Sequence, residues 1–334
     1  MTRTTLRDAL TRALSDAMAA DPTVIVLGED VGGGAGAAHP GTAGGAFGAT
    51  KGLYRRFGAR RVIDTPITEA ALLGVAAGAA ATGLKPVVDL MFADFAFAGA
   101  DPIVNFMAQA GALFGDAPGQ GGHMPLVVRA AFGAGDRSGA QHSQCLHGLL
   151  AQWPAWRVYL PTTPADAYGL LSDAIAQPGP VAVLEHKLLY DAEGTLAPAP
   201  GPGTARILRS GSALTLVATA AMVPVAASAA KHLATAGHAV EVIDLRTLAP
   251  LDMDTVTASV AKTGRLLVVE EDRLAADHII TALVETGFGS LTAPPVRLTP
   301  PRAPVPFAPA LEDHWLPSAA GVAERARRLI LRDY

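Results

Sequence analysis

Short apolar runs of strand length recur along the chain with helix-like segments between most of them, and this alternation limits the fold more than any other feature. The runs are Val24-Ile25-Val26-Leu27, Pro86-Val87-Val88-Asp89-Leu90-Met91, Pro125-Leu126-Val127-Val128, Trp156-Arg157-Val158-Tyr159-Leu160 and Pro180-Val181-Ala182-Val183-Leu184. Strands that are apolar along most of their length are buried on both faces, which predicts a mostly parallel sheet covered by helices. A helix precedes them: Leu6, Leu10, Leu14 and Met18 form an apolar stripe, with Arg7, Asp8, Arg12 and Asp16 outside it. Residues 191–205, with Pro198, Pro200 and Pro202 among Gly and Ala, break the pattern and read as a linker. A second series follows, with strands expected at 213–217, 239–243, 265–269 and 296–298 and helices near 222–236, 252–262 and 275–287. The reading is two α/β domains, 1–190 and 206–334, and a chain of 334 residues is long enough to give each its own core.

Composition excludes several classes of function. The formal charge of −4, without long Lys/Arg runs, provides no basic field for nucleic acid. Cys145 is the only cysteine, so there is no internal disulfide framework and a reducing, cytoplasmic setting is expected. The N-terminal residues lack the apolar core of a signal peptide. Residues 210–230 carry no charge and are long enough to cross a bilayer, but a β-like run at 213–217 and Pro224 at a helix opening read better as strand, turn and helix, so no membrane span is expected.

Glu69 stands where the run Val62-Ile63-Asp64 ends and a helix of small residues begins, Ala70-Ala71-Leu72-Leu73-Gly74-Val75-Ala76-Ala77-Gly78. Pro66 stops the strand and Thr68 offers a capping hydroxyl. Glu69 is either a helix-start acid favoured by the macrodipole or a carboxyl placed for chemistry in an apolar, tightly packed region. Glu29 follows the first strand directly, at the end of the sheet where open α/β folds place ligands. The Gly-rich stretch 31–50 has neither GxGxxG nor a Walker lysine and reads as a surface loop. His142, within Gln141-His142-Ser143-Gln144-Cys145, is either a proton-handling group or a structural histidine bonded to backbone. Cys145 reads as a small core residue, and His123, His147 and His186 have no metal-ligand spacing.

Taken in order, Val26-Leu27-Gly28-Glu29-Asp30, Lys51-Gly52-Leu53-Tyr54, Arg61-Val62-Ile63-Asp64-Thr65-Pro66-Ile67-Thr68-Glu69, Met91-Phe92-Ala93-Asp94-Phe95, Ala140-Gln141-His142-Ser143-Gln144, Leu184-Glu185-His186-Lys187-Leu188-Leu189-Tyr190, Asp244-Leu245-Arg246-Thr247-Leu248 and Pro304-Val305-Pro306-Phe307 span nearly the whole chain. So ordered, they resemble one family, the β subunits of thiamine-diphosphate-dependent 2-oxo acid dehydrogenase E1 components, with the Glu185-to-Tyr190 run most like the acetoin dehydrogenase branch. The resemblance implies a thiamine-diphosphate-binding fold of two doubly wound α/β domains, a transketolase-like pyrimidine-binding domain and a transketolase C-terminal-like domain. It assigns Glu69 to the carboxyl that hydrogen-bonds N1′ of the aminopyrimidine and favours its imino tautomer. Phe95 matches the aromatic that packs on that ring, His142 the active-site histidine facing substrate, and Glu29 an acid on the water-filled path between paired active sites.

The same resemblance implies that Mg²⁺ and the diphosphate are held by another polypeptide. The family's holding motif is Gly-Asp-Gly followed by Asn, whereas here the nearest run is Gly115-Asp116-Ala117. An α2β2 heterotetramer is then expected, with an α subunit carrying that motif and the small-residue helix after Glu69 suited to close packing in the interface. A K⁺ site on the carbonyls of Ala174 and Ile175 is a further implication. The activity implied is decarboxylation of a 2-oxo acid, or cleavage of acetoin, with transfer to a lipoyl-bearing E2. The alternatives are a two-chain carboligase that forms an acyloin without lipoamide, and a scaffold subunit without turnover. The chain departs from the family's pattern between Gln109 and Gly122, and again where Glu270-Glu271-Asp272 continues as Arg273-Leu274-Ala275-Ala276-Asp277.

Overall fold

The N-terminal stripe forms the helix Leu6–Ala20, opened by Thr5, whose hydroxyl accepts the Asp8 N–H at 3.1 Å. Leu6, Leu10, Leu14 and Met18 are buried, as their spacing predicts. The computed structural model describes residues 3–33, 44–115 and 124–332. The centre of the Gly-rich stretch 31–50, the residues after Gly115 in the divergent segment, and His123 lie outside the described residues. Contacts divide the chain into two units. One joins Met1–Phe132 to Leu150–Gly201, and the other joins Gly133–Leu149 to Pro202–Tyr334.

The first unit begins with β1 (Arg3–Thr5) and continues with β2 (Val24–Gly28), β3 (Val62–Asp64), β4 (Lys85–Phe92), β5 (Val127–Phe132), β6 (Arg157–Tyr159), β7 (Val181–His186) and β8 (Glu193–Thr195). Its sheet has the order β6-β7-β5-β4-β2-β3, with every pair parallel. β5 runs past the expected end at Val128 because the charge that interrupts the apolar run, Arg129, is compensated: it is 2% exposed and paired with Asp89 of β4 and Glu185 of β7. The runs led by Pro125 and Pro180 start their strands after the proline, at Val127 and Val181, since a proline nitrogen has no hydrogen to give to the ladder, whereas Pro86 is the second residue of β4. β8 falls within the stretch read as a linker and pairs antiparallel with β1, so part of that stretch is fixed to the chain's N-terminal strand.

The second unit contains β9 (Arg206–Arg209), β10 (Leu214–Ala218), β11 (Val240–Asp244), β12 (Thr247–Ala249), β13 (Leu266–Val269) and β14 (Val296–Leu298). A sheet of order β14-β13-β10-β11-β9 is parallel except at the β9 edge. Sequence reading missed β9 because it has charged ends and half-exposed Ile207 and Leu208, as suits an edge strand but not a buried run. The helices Met222–Thr235, Met253–Thr263 and Arg273–Gly287 stand near their expected places. Asp252 and Asp272 cap the last two, accepting from Thr255 at 3.0 Å and from Leu274 at 2.8 Å. The uncharged stretch 210–230 divides between β10 and a helix, and no described helix is long and apolar enough to cross a membrane.

Candidate active site

Glu69 is the first residue of the helix Glu69–Ala81 and is half-buried there. The expected cap is not made: Thr68, at φ −156° and ψ 70°, turns its hydroxyl back to Pro66 O at 3.4 Å, leaving the first-turn N–H groups without a side-chain oxygen from the cap position. The uncapped end of a helix favours a carboxylate, so Glu69 stands where the local field holds negative charge. The helix is packed on one face only. Leu72, Leu73, Ala76, Ala77 and Ala80 are buried, whereas Ala70, Ala71, Gly74, Val75 and Gly78 form an exposed face of small apolar residues.

Glu29 is brought to the same region. A Cβ at Gly28 would collide with the Asp89 carbonyl, so glycine lets β2 approach β4 closely just before the acidic pair Glu29-Asp30. Asp30, at φ 57°, then turns the chain. Glu29, Asp30, Asp64, Thr65, Pro66 and Ile67 line a cleft of about 420 Å³. Burial pushes the Glu29 carboxyl up, and the neighbouring charges of Asp30 and Glu69 add to the rise.

Phe95 lies on the 3-10 turn Ala93–Gly99, which packs against the Glu69 helix. A Cβ at Gly99 would meet the Leu73 side chain and come within 3.2 Å of Glu69 O, so the missing side chain sets how closely the turn approaches the catalytic candidate. The Phe95 ring meets Phe92 edge-on at 6.1 Å, and Phe92 meets Phe47 at 5.3 Å. These groups fit the pyrimidine half of thiamine diphosphate, with a carboxyl to hydrogen-bond a ring nitrogen and an aromatic face for the ring. Beside them Thr65 Oγ1 is buried without a hydrogen-bond partner, as expected of a hydroxyl awaiting a polar ligand. At the carbonyls considered for K⁺, Ala174 O accepts the Gln177 N–H at 3.3 Å in closing its helix. Among the described residues, no group of three or more His, Cys, Asp or Glu side chains could hold a metal ion.

His142 belongs to the second unit, on the segment Gly133–Leu149. It is half-buried, and its backbone N–H donates to Gly139 O at 3.4 Å. The segment is held at both ends by carboxylates. Ala134 N–H donates to Glu271 at 3.1 Å and Gly135 N–H to Glu312 at 2.7 Å, while Gly148 N–H donates to Asp272 at 2.7 Å. His147 is fully buried, with Nε2 3.2 Å from Glu270 and Nδ1 3.8 Å from Asp272. Burial alone would push this imidazole down, but Asp272 and Glu270 outweigh it and raise the pKa to about 9. Cys145, expected in the core, is half-buried with its thiol 3.8 Å from Glu271 Oε2. The signal that could have exposed this anchoring was the acidic run Glu270-Glu271-Asp272, read above only as a departure; nothing local in sequence marks Arg137 or Glu312.

Residues 2–193 match the family described as "Transketolase, pyrimidine binding domain", and residues 203–322 match "Transketolase, C-terminal domain". The chain is 45% identical to the β subunit of an acetoin:2,6-dichlorophenolindophenol oxidoreductase from Cupriavidus necator, covering 96% of this chain and 95% of that one. It is also 37% identical to the pyruvate dehydrogenase E1 component subunit beta of Bacillus subtilis, covering 99% of both chains. The chain belongs to the 2-oxo acid dehydrogenase E1 β-subunit family. A solved "Split gene transketolase, inactive beta4 tetramer" shares the fold at a TM-score of 0.77 and 22% identity, covering 98% of each chain. The two-domain α/β fold implied by the family resemblance is therefore the fold of this E1 β-type chain.

Proposed function

We propose that this chain is the β subunit of an α2β2 thiamine-diphosphate enzyme that decarboxylates a 2-oxo acid or cleaves acetoin and passes the acyl fragment to a lipoyl-bearing E2. Membership of the E1 β family supports the enzyme class. The observation that carries the site is the convergence of Glu69, Glu29 and the Phe95 turn in the first unit, next to a buried hydroxyl with no partner. Thiamine diphosphate, when bound, supplies an acidic thiazolium C2–H and an electron sink for the carbon it attacks. The roles of this chain are then to hold the pyrimidine half, with Phe95 against the ring and Glu69 sharing a proton with N1′. Glu29, whose carboxyl is pushed up by burial and by the charges of Asp30 and Glu69, lies close enough to Glu69 to stand on a proton path beside it. His142 serves the substrate side. The diphosphate and Mg²⁺ fall to an α subunit with Gly-Asp-Gly…Asn, and relatives named as β subunits support a two-chain enzyme.

The test is C2 proton-deuterium exchange in the chain co-purified with such an α subunit. Glu69→Gln keeps the volume but cannot relay the proton, so exchange should slow by about 10²- to 10⁴-fold with the fold unchanged. Wild-type exchange in this variant would return Glu69 to the role of a helix-start acid. Turnover by the isolated chain would overturn the two-chain reading. Acyloin formation without transfer to lipoamide would favour the carboligase.

A further inference from the structure

We infer that Glu312 is a positioning residue for His142, acting through Arg137 and the backbone of the segment that carries the histidine. The role is built on the reading of His142 as the substrate-facing group. Glu312 lies on the helix Pro309–Trp315 and is 0% exposed, a costly place for a carboxylate unless its oxygens are fully engaged. They are. Oε1 accepts the Gly135 N–H at 2.7 Å, and Oε2 accepts the Arg137 N–H at 3.2 Å and Arg137 Nη1 at 2.8 Å. All three donors belong to the approach to His142, so the carboxylate organises that approach.

The approach needs such a clamp. Gly135 has φ 107° and Arg137 has φ 68°, and a side-chain-bearing residue rarely adopts the latter unless its surroundings enforce it. Arg137 is enforced twice more, donating to Pro309 O at 3.1 Å and to Asp313 at 2.6 Å. Beyond it, Gly139 passes under the Phe307 ring, where a Cβ would lie 3.0 Å from the ring carbon. Past His142, Asp272 takes the Gly148 N–H and Glu270 faces His147, so the histidine sits between two fixed ends. A catalytic side chain on a loop needs this support, because a displacement of about 1 Å can cost roughly 10²-fold in rate.

The experiment uses the complete complex and three variants: His142→Ala, Glu312→Gln and the double variant. Glu312→Gln is nearly isosteric, but its amide nitrogen cannot accept the hydrogens that Oε1 or Oε2 takes. The expected result is a fall in kcat of about 10- to 100-fold for the steps after C2 proton exchange, with exchange rate and cofactor affinity at wild-type values. The double variant should be no slower than His142→Ala, because a clamp that acts through His142 has nothing left to position. A merely structural carboxylate would lower both the exchange rate and the amount of folded complex, and its effect would multiply with the loss of His142. If Glu312→Gln yields no folded complex, Arg137→Met removes the guanidinium from a half-exposed side chain and should show the same lack of additivity, with a fall of about 3- to 10-fold. Wild-type turnover in the clamp variant, or multiplicative loss in the double variant, overturns the positioning role. Wild-type turnover in His142→Ala overturns the histidine's role and the clamp's with it, so the two failures are told apart by the single variants.

Discussion

Arg129 keeps its charge inside the first unit because two edges of its planar guanidinium each meet a carboxylate: Nε lies 2.9 Å from Glu185 Oε1, and Nη1 contacts Asp89. Tyr190 completes the cluster, its hydroxyl donating to Glu185 at 2.8 Å. Arg129→Met would leave two buried carboxylates facing each other, which should cost about 3–5 kcal/mol. Denaturant unfolding beside the wild type gives the figure, and a loss below about 1 kcal/mol would mean that water reaches the cluster and screens it. Glu29, Glu69, Phe95 and His142 could be picked out as candidates from sequence because the runs that hold them resemble those of one family. The pairs that support such residues could not. Arg129 is separated from Asp89 by 40 residues and from Glu185 by 56, and Arg137 from Glu312 by 175. No local period links partners so far apart.

At the level of elements, apolar run length predicted the buried strands of both sheets, and misjudged them where a charge or an edge interrupts the pattern, as at Arg129 and at β9. The Glu69 helix shows the other limit: its small residues are legible, but which of them face solvent depends on the neighbouring β4 and the Ala93–Gly99 turn. Two glycine replacements should therefore behave oppositely. Gly99→Ala drives a methyl into Leu73 and towards Glu69 O, and should destabilise the chain by about 1–3 kcal/mol while weakening cofactor binding as Phe95 is displaced. Gly74→Ala meets nothing within 4 Å and should stabilise the isolated chain by about 0.5–1 kcal/mol through helix propensity. Thermal unfolding of the two variants in parallel decides it; equal melting temperatures would show that the turn is not set by Gly99.

For the whole molecule, the buried His147 makes stability depend on pH in a definite direction. Its folded pKa of about 9 lies above the ordinary value of 6.5, so the stabilisation is complete below about pH 6.5 and is lost as pH rises through about 9. The slope in that window is about 1.4 kcal/mol per pH unit, and the melting temperature should fall across it. His147→Gln should be less stable at pH 6 and should flatten the profile; an unchanged slope would assign it to other groups.

The segment that carries His142 also imposes an order on manufacture. Its anchors lie far downstream, with Ala134 separated from Glu271 by 137 residues and Gly135 from Glu312 by 177. During synthesis Glu69 and Phe95 emerge early, whereas the His142 loop waits for the residues through Glu312. A polypeptide abandoned before Glu312 is translated would lack the carboxylate that accepts the Gly135 N–H on the approach to His142. The loop is therefore a late checkpoint, passed only once the chain through Glu312 has been made.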